Sequence, residues 1–198
     1  FLEGNDLGRV YRIVPKGFKA GENKMPALSK AAVKDLVGYL NHPNKWWRTN
    51  AQRLLVDRKD QNAVPLIIDL LSTPISPEGK IHALWTLEGL NALSDTLLEK
   101  SLQDADPIVK KQAVLLGEKR MDKKNIFEGV MNAASDPDAA VQFQAALTLS
   151  NVANSGTPVF QALNKVIAAH ISDEWFQDAV LLSASGNAVQ WYEAFKDF

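Results

Sequence analysis

The sequence predicts an all-α fold, a right-handed α-solenoid of about five helix pairs with a short N-terminal extended segment. Three observations carry this. From Pro26 onward, apolar residues recur at the i, i+3, i+4, i+7 spacing of a single helix face. A motif led by alanine returns along the chain: Ala51-Gln-Arg-Leu-Leu, Ala83-Leu-Trp-Thr-Leu, Ala113-Val-Leu-Leu-Gly, Ala145-Ala-Leu-Thr-Leu and Ala179-Val-Leu-Leu-Ser, the alanines 32, 30, 32 and 34 residues apart. Turns pairing Pro with Asp or Asn separate the helices, and Asp106-Pro107 and Asp136-Pro137 supply a capping acceptor before a φ-fixed first residue.

In order, Leu7 to Val14 is rich in β-branched and aromatic residues and reads as a strand. Pro15, Gly17 and Gly21 break it, and residues 1–25 form a strand and linker expected to be the tail of a preceding domain. The solenoid spans 26–198. Val33, Leu36, Val37 and Leu40 mark the first helix; after the Asn41-His-Pro-Asn44 turn, a second points Trp47, Ala51, Leu54 and Leu55 inward. Further pairs are expected at Val64–Leu71 with Gly79–Leu90, Asp95–Leu102 with Ile108–Glu118, Asn125–Ala134 with Ala140–Val152, and Val159–His170 with Glu174–Ser183. Asn187 to Phe198 reads as the start of another pair. Alanine suits the repeated position because a small side chain lets paired helix backbones approach closely.

Composition narrows the chemistry. With 198 residues, 46% hydrophobic and 23% charged, the chain falls in the ordinary globular class. It has no Cys, which excludes disulfides, thiolate nucleophiles, Cys-based zinc sites and covalent haem attachment. No apolar run is long enough for a membrane span. Opening on Phe1, without a signal-peptide pattern, the chain is expected to be part of a longer protein, with any targeting segment upstream. Net charge is −1, but residues 1–60 hold 12 Lys/Arg against 6 Asp/Glu while residues 61–198 hold 10 against 17. A basic excess confined to one end, with a pI of about 6.4, does not suit nucleic acid as a partner.

No catalytic or metal constellation emerges. His42, His82 and His170 fall in different repeats, and only His170 has acids three and four residues on, Asp173 and Glu174, across a turn. No Gly-rich phosphate loop or Ser/His/Asp grouping occurs. Two interaction surfaces stand out instead. The residues before the aligned alanines, Asn50, His82, Gln112, Gln144 and Asp178, are all polar and would form a row along one face, either a binding groove or a solvated edge. Trp46, Arg48 and Arg53, joined in the next repeat by His82, Trp85 and Glu88, combine the side chains that dominate binding hot spots. Helical spacing separates Trp46, Asn50 and Arg53 from the inward face of Trp47, Ala51 and Leu54, making Trp46 interfacial and Trp47 core; Trp175 and Trp191 also read as core.

The helix pairs and their spacing resemble HEAT repeats over 26–198. Two stretches, His42-Pro-Asn-Lys-Trp-Trp-Arg-Thr-Asn-Ala-Gln-Arg-Leu-Leu and His82-Ala-Leu-Trp-Thr-Leu-Glu-Gly-Leu, further resemble the HEAT region of putative membrane-bound dehydrogenase family proteins. Gly8-Arg-Val-Tyr-Arg-Ile-Val-Pro is similar to the way that family's β-propeller runs into its repeats. The resemblance implies a bacterial, periplasmic or exported parent: a sugar-dehydrogenase-like propeller, then HEAT repeats, then often a cytochrome c domain. Neither the catalytic propeller residues nor a haem-binding Cys-x-x-Cys-His lies in this chain, so it is expected to be a non-enzymatic scaffold without cofactor, linking the propeller to an electron-accepting domain. The other readings are a stand-alone peptide- or protein-binding solenoid and a HEAT-like DNA glycosylase; the acidic bias of residues 61–198 speaks against the latter.

Overall fold

The computed structural model describes residues 13–14, 16–17, 27–152, 157–182, 189 and 192. The expected strand, apart from Ile13 and Val14, lies outside these residues, as do Trp191 and, apart from Val189 and Tyr192, the helix expected over Asn187 to Phe198. Among the described residues ten α-helices follow one another: α1 (Val33–Tyr39), α2 (Lys45–Arg58), α3 (Ala63–Leu71), α4 (Pro77–Gly89), α5 (Asp95–Leu102), α6 (Pro107–Gly117), α7 (Lys124–Ala133), α8 (Ala139–Ser150), α9 (Thr157–Ala169) and α10 (Glu174–Leu181). Short 3₁₀ turns precede α1 (Leu28–Lys30) and follow α6 (Glu118–Arg120).

The helices form five antiparallel pairs stacked into an all-α solenoid. The second helices make a continuous row, α2 on α4, α4 on α6, α6 on α8 and α8 on α10, with the first helices packed outside. The sequence dictates this layering. The first helix α7 segregates its apolar residues onto one stripe and buries Ile126, Val130 and Ala133, whereas the second helix α8 buries Val141, Gln144, Ala145, Ala146, Thr148 and Leu149 and is packed on several sides. The repeated Ala51, Ala83, Ala113 and Ala145 are fully buried within that row. Leu36, Leu40, Leu55, Ile67, Leu84, Leu98, Ile126, Leu149 and Leu163 complete one core running the length of the stack. Glycine permits closer approach still: a Cβ at Gly89 would stand 2.7 Å from Val56 of the preceding repeat, and one at Gly129 2.7 Å from Leu102.

Each second helix begins at a capping side chain that accepts a backbone N–H: Asn44, Ser76, Asp106, Asp138 and Asp173. Each such cap stabilises its helix by about 1 kcal/mol. Asp106-Pro107 caps as the sequence predicts. At the next turn Asp138 is the cap and Pro137 lies before it, because Asp138 sits 32 residues after Asp106, the interval that also separates Ala113 from Ala145.

The caps also correct the alignment of the last repeat. Counting from Asp173, Val180 and not Ala179 occupies the buried alanine position, so the polar row ends at Gln144 and Asp178 stands outside it. The same shift relocates Trp175. Two residues past its cap, it shares a register with Trp46 and Ile108, and all three are exposed, at 74%, 58% and 55%. Trp175 is therefore a surface residue; Phe176 takes the buried position beside it.

Candidate functional site

One register of polar residues ties the repeats together. Two residues before the cap stand His42, Asp104 and Asp136; each side chain accepts the backbone N–H of its own cap residue, Asn44, Asp106 and Asp138, at 3.0, 2.9 and 2.9 Å. Four residues after the cap stand Arg48, Lys80, Lys110, Gln142 and Gln177. Lys80 Nζ reaches forward to Asp104 Oδ2 of the next repeat at 2.7 Å, and Lys110 pairs in the same way with Asp136. Gln142 makes a neutral tie one position off this register: its Oε1 accepts from His170 Nε2, three residues before the Asp173 cap, at 2.5 Å, and the His170 ring lies on Phe176, centroids 3.8 Å apart. His170 is thus engaged between repeats.

The first repeat lacks the tie to the next and keeps only the bond to its own turn, to the carbonyl six residues back, that Gln142 and Gln177 also make at 2.6 and 2.7 Å. The residue of the second repeat that matches Asp104 and Asp136 is Pro74, which offers Arg48 no carboxylate. The Arg48 guanidinium instead donates through Nη1 to the carbonyl oxygens of His42 (2.7 Å) and Pro43 (2.9 Å) of its own turn, and its buried Nε has no hydrogen-bond partner. Arg48, 8% exposed, therefore braces the turn that presents His42 and Trp46 and is not itself a contact surface. Asn41 closes this joint instead: its Oδ1 accepts from Ser76 N (3.1 Å) and Ser76 Oγ (2.9 Å).

Most of the other interaction candidates are engaged within the stack. His82 Nδ1–H donates to Gln52 Oε1 (2.6 Å) and Trp85 Nε1–H to Gln112 Oε1 (2.8 Å), each joining adjacent second helices. Glu88 accepts from Arg120 Nη2 at 2.6 Å, and Arg120 also faces Asp95 at 3.5 Å. Gln144 is buried; its Nε2 lies 3.5 Å from Thr148 Oγ1 within its own helix. Half-buried Asn50 donates back to the Trp46 carbonyl at 2.8 Å. Arg53 is exposed and pairs with Asp57 one turn on at 3.1 Å, so the Arg53 and Trp85 side chains have separate partners. His82 feels its surroundings: burial holds the imidazole below its ordinary value of 6.5, Arg48 and Lys45 push the same way, and Glu78 opposes them.

What faces outward is the edge of the first repeat. Trp46 stands edge-on to Trp47, ring centroids 4.5 Å apart and planes at 90°. Trp47 lies 6.2 Å from Tyr39 and 6.3 Å from His42, themselves 5.6 Å apart, so four aromatic rings run from the second helix across the turn to the first. Tyr39 and His42 open onto a groove of about 680 Å³ along the outer side of α1, lined also by Ala27, Lys30, Ala31, Lys34, Asp35 and Gly38. Sequence reasoning singled out Trp46 but missed Tyr39 and the groove, since α1 shows only a seven-residue helix with a plain apolar stripe. The six-residue spacing from Asp104 to Lys110 and from Asp136 to Gln142 was the available signal for the tie between repeats.

Among the described residues, no group of three His, Asp or Glu side chains converges as a metal-ligand cluster, and no helix is long and apolar enough to cross a membrane. Compared with protein-family models and with curated proteins, the chain matches none.

Proposed function

We propose that this chain is a non-catalytic helical-repeat scaffold that holds a partner protein or neighbouring domain against the outer edge of its first repeat. One observation carries the reading: an aromatic run joins an indole, Trp46, that is 58% exposed, through Trp47 to Tyr39 and His42, where a groove opens. Large aromatic side chains with rigid surroundings bury much area on docking while losing little conformational freedom, which makes them binding anchors. A solenoid suits such a role because its stacked repeats make a stiff spacer whose end faces differ from its middle. In the family that His42–Leu55 and His82–Leu90 resemble, the docked neighbour would be the β-propeller preceding the repeats, and the scaffold would set its distance from an electron-accepting domain.

The experiment is site-specific photocrosslinking in the producing cell. A photoreactive residue replacing Trp46 is expected to capture one defined protein or domain, while the same residue replacing Glu128, exposed on α7, captures none. Equal labelling at the two positions, or none at position 46, would overturn the proposal.

A further inference from the structure

Resting on that docking reading, we infer that the groove along α1 seats an apolar helix flanked by acidic side chains, supplied by a protein partner. The groove is open and runs beside α1. Its lining on α1 follows one face, Lys34, Asp35, Gly38 and Tyr39, with His42 beyond the helix end, opposite the buried Leu36 and Val37. Ala27, Ala31 and Gly38 keep the floor low and Tyr39 supplies an apolar wall.

Gly38 bears on the occupant. A glycine in a helix is unfavourable against alanine, though less so near an end, and Gly38 is the next-to-last residue of α1. Elsewhere in the stack a neighbour accounts for it: a Cβ would strike Asn41 at Gly79, Val56 at Gly89 and Leu102 at Gly129. At Gly38 an added Cβ meets nothing within 4 Å. Nothing described in this chain requires a glycine there, whereas an incoming helix backbone approaches closest where the side chain is missing.

Charge identifies the partner. Residues 27–60 hold seven Lys/Arg against three Asp, and among the described residues only Arg53 of these cations has a carboxylate partner. Arg48 and Arg58 donate to backbone carbonyls, which leaves their positive charge in place. Lys30 and Lys34 line the groove with Asp35 as the one acid, and Lys45 adjoins Trp46. Beyond the first repeat, Lys80, Lys110 and Arg120 are each paired with a carboxylate between elements, whereas among the described residues Lys100, Lys111, Lys119 and Lys165 have no ion-pair partner. What distinguishes the first repeat is that its unpaired Lys30 and Lys34 line a groove. An acid-flanked helix supplies the missing carboxylates, and its apolar face covers Tyr39 and Trp46. The aromatic, low-floored groove favours this over a nucleic-acid backbone, which needs a longer basic track.

The test uses the full chain and two fluorescein-labelled synthetic 20-residue amphipathic helices with one leucine/alanine face, one carrying Glu and the other Lys on its polar face, read by anisotropy. The Glu helix is expected to bind at least about tenfold more tightly than the Lys helix, with the difference shrinking as salt rises. Lys30→Glu with Lys34→Glu should reverse that preference. Gly38→Trp should abolish binding while leaving the melting temperature in place, since its side chain enters open space. A 20-nucleotide single-stranded DNA should not displace the Glu helix. Equal affinity for the two helices, an unreversed preference, or displacement by DNA overturns the acidic-partner inference. If Gly38→Trp blocks binding while charge reversal changes nothing, the docking edge stands and only the acidic partner falls; binding that survives Gly38→Trp and Trp46→Ala removes the docking edge as well.

Discussion

The joint between the first and second repeats and the joint between the third and fourth share one register yet are closed differently. At the later joint, Lys110 of α6 meets Asp136, whose other oxygen already accepts the N–H of Asp138, so one carboxylate fixes its own turn and the preceding helix together. Both side chains are largely shielded, at 18% and 10% exposure. At the first joint the equivalent cation, Arg48, turns back onto carbonyls of its own turn, and the contact is left to neutral bonds, Asn41 to Ser76 and Gln52 to His82. A charge-assisted bond that also fastens a turn is roughly twice as strong as a neutral one. The interior is therefore locked by paired charge, whereas the first repeat keeps charge and aromatic surface facing outward.

The largest effect expected from breaking this contrast is at Asp136. Asp136→Ala strips the turn of its acceptor and leaves Lys110 shielded without a partner, and should lower urea stability by about 2–4 kcal/mol. Arg48→Met, which leaves no carboxylate stranded, should cost about 1–2 kcal/mol by the same measurement; a loss as large as that of Asp136→Ala would mean the two joints are equivalent. Converting the first joint into the later kind sharpens the comparison. Pro74→Asp, measured in the native and the Arg48→Met backgrounds, should show favourable coupling of about 0.5–1.5 kcal/mol, the cycle removing the effect of losing a proline. Zero coupling would show that the shared register does not bring the two positions together.

The fold was legible because its determinants are periodic. Alanine spacing, capping residues and apolar stripes are each local and each repeated, so the helix pairs from Val33 to Leu181 fall close to where the pattern places them. The slip at Ala179 shows the limit of one periodic marker: two small or β-branched residues, Ala179 and Val180, are both buried, and only the cap at Asp173 sets the register. The candidate site was less legible. A list of polar and aromatic residues on one helix face cannot tell which will find partners one repeat away, and His82, Glu88, Gln112 and Arg48 all do so or turn inward. Trp46 was recoverable because helical spacing alone separates its face from that of Trp47. The groove was not, since it is made by absence: Gly38 and two alanines beside lysines carry no signature in sequence.

Smaller effects follow. Between about pH 7.5 and 5 stability should fall as pH drops through the ordinary value of 6.5, because the unfolded chain then binds a proton that folded His82 resists. His82→Gln should flatten that part of the urea-stability profile, and an unchanged profile would place the titration elsewhere. Smallest of all, Trp46→Ala should leave stability within about 0.5 kcal/mol of the native chain, since its indole is largely outside the core; a larger loss would make Trp46 part of the packing.

Native-state hydrogen exchange, read amide by amide along the second helices, tests the difference between the two joints most directly. The α6 and α8 amides around the Lys110–Asp136 pair should open only with the most protected part of the molecule, while those of α2 exchange through a separate opening of lower free energy. Equal opening free energies for α2, α6 and α8 would contradict the claim that paired charge locks the interior and leaves the first repeat's edge free to dock.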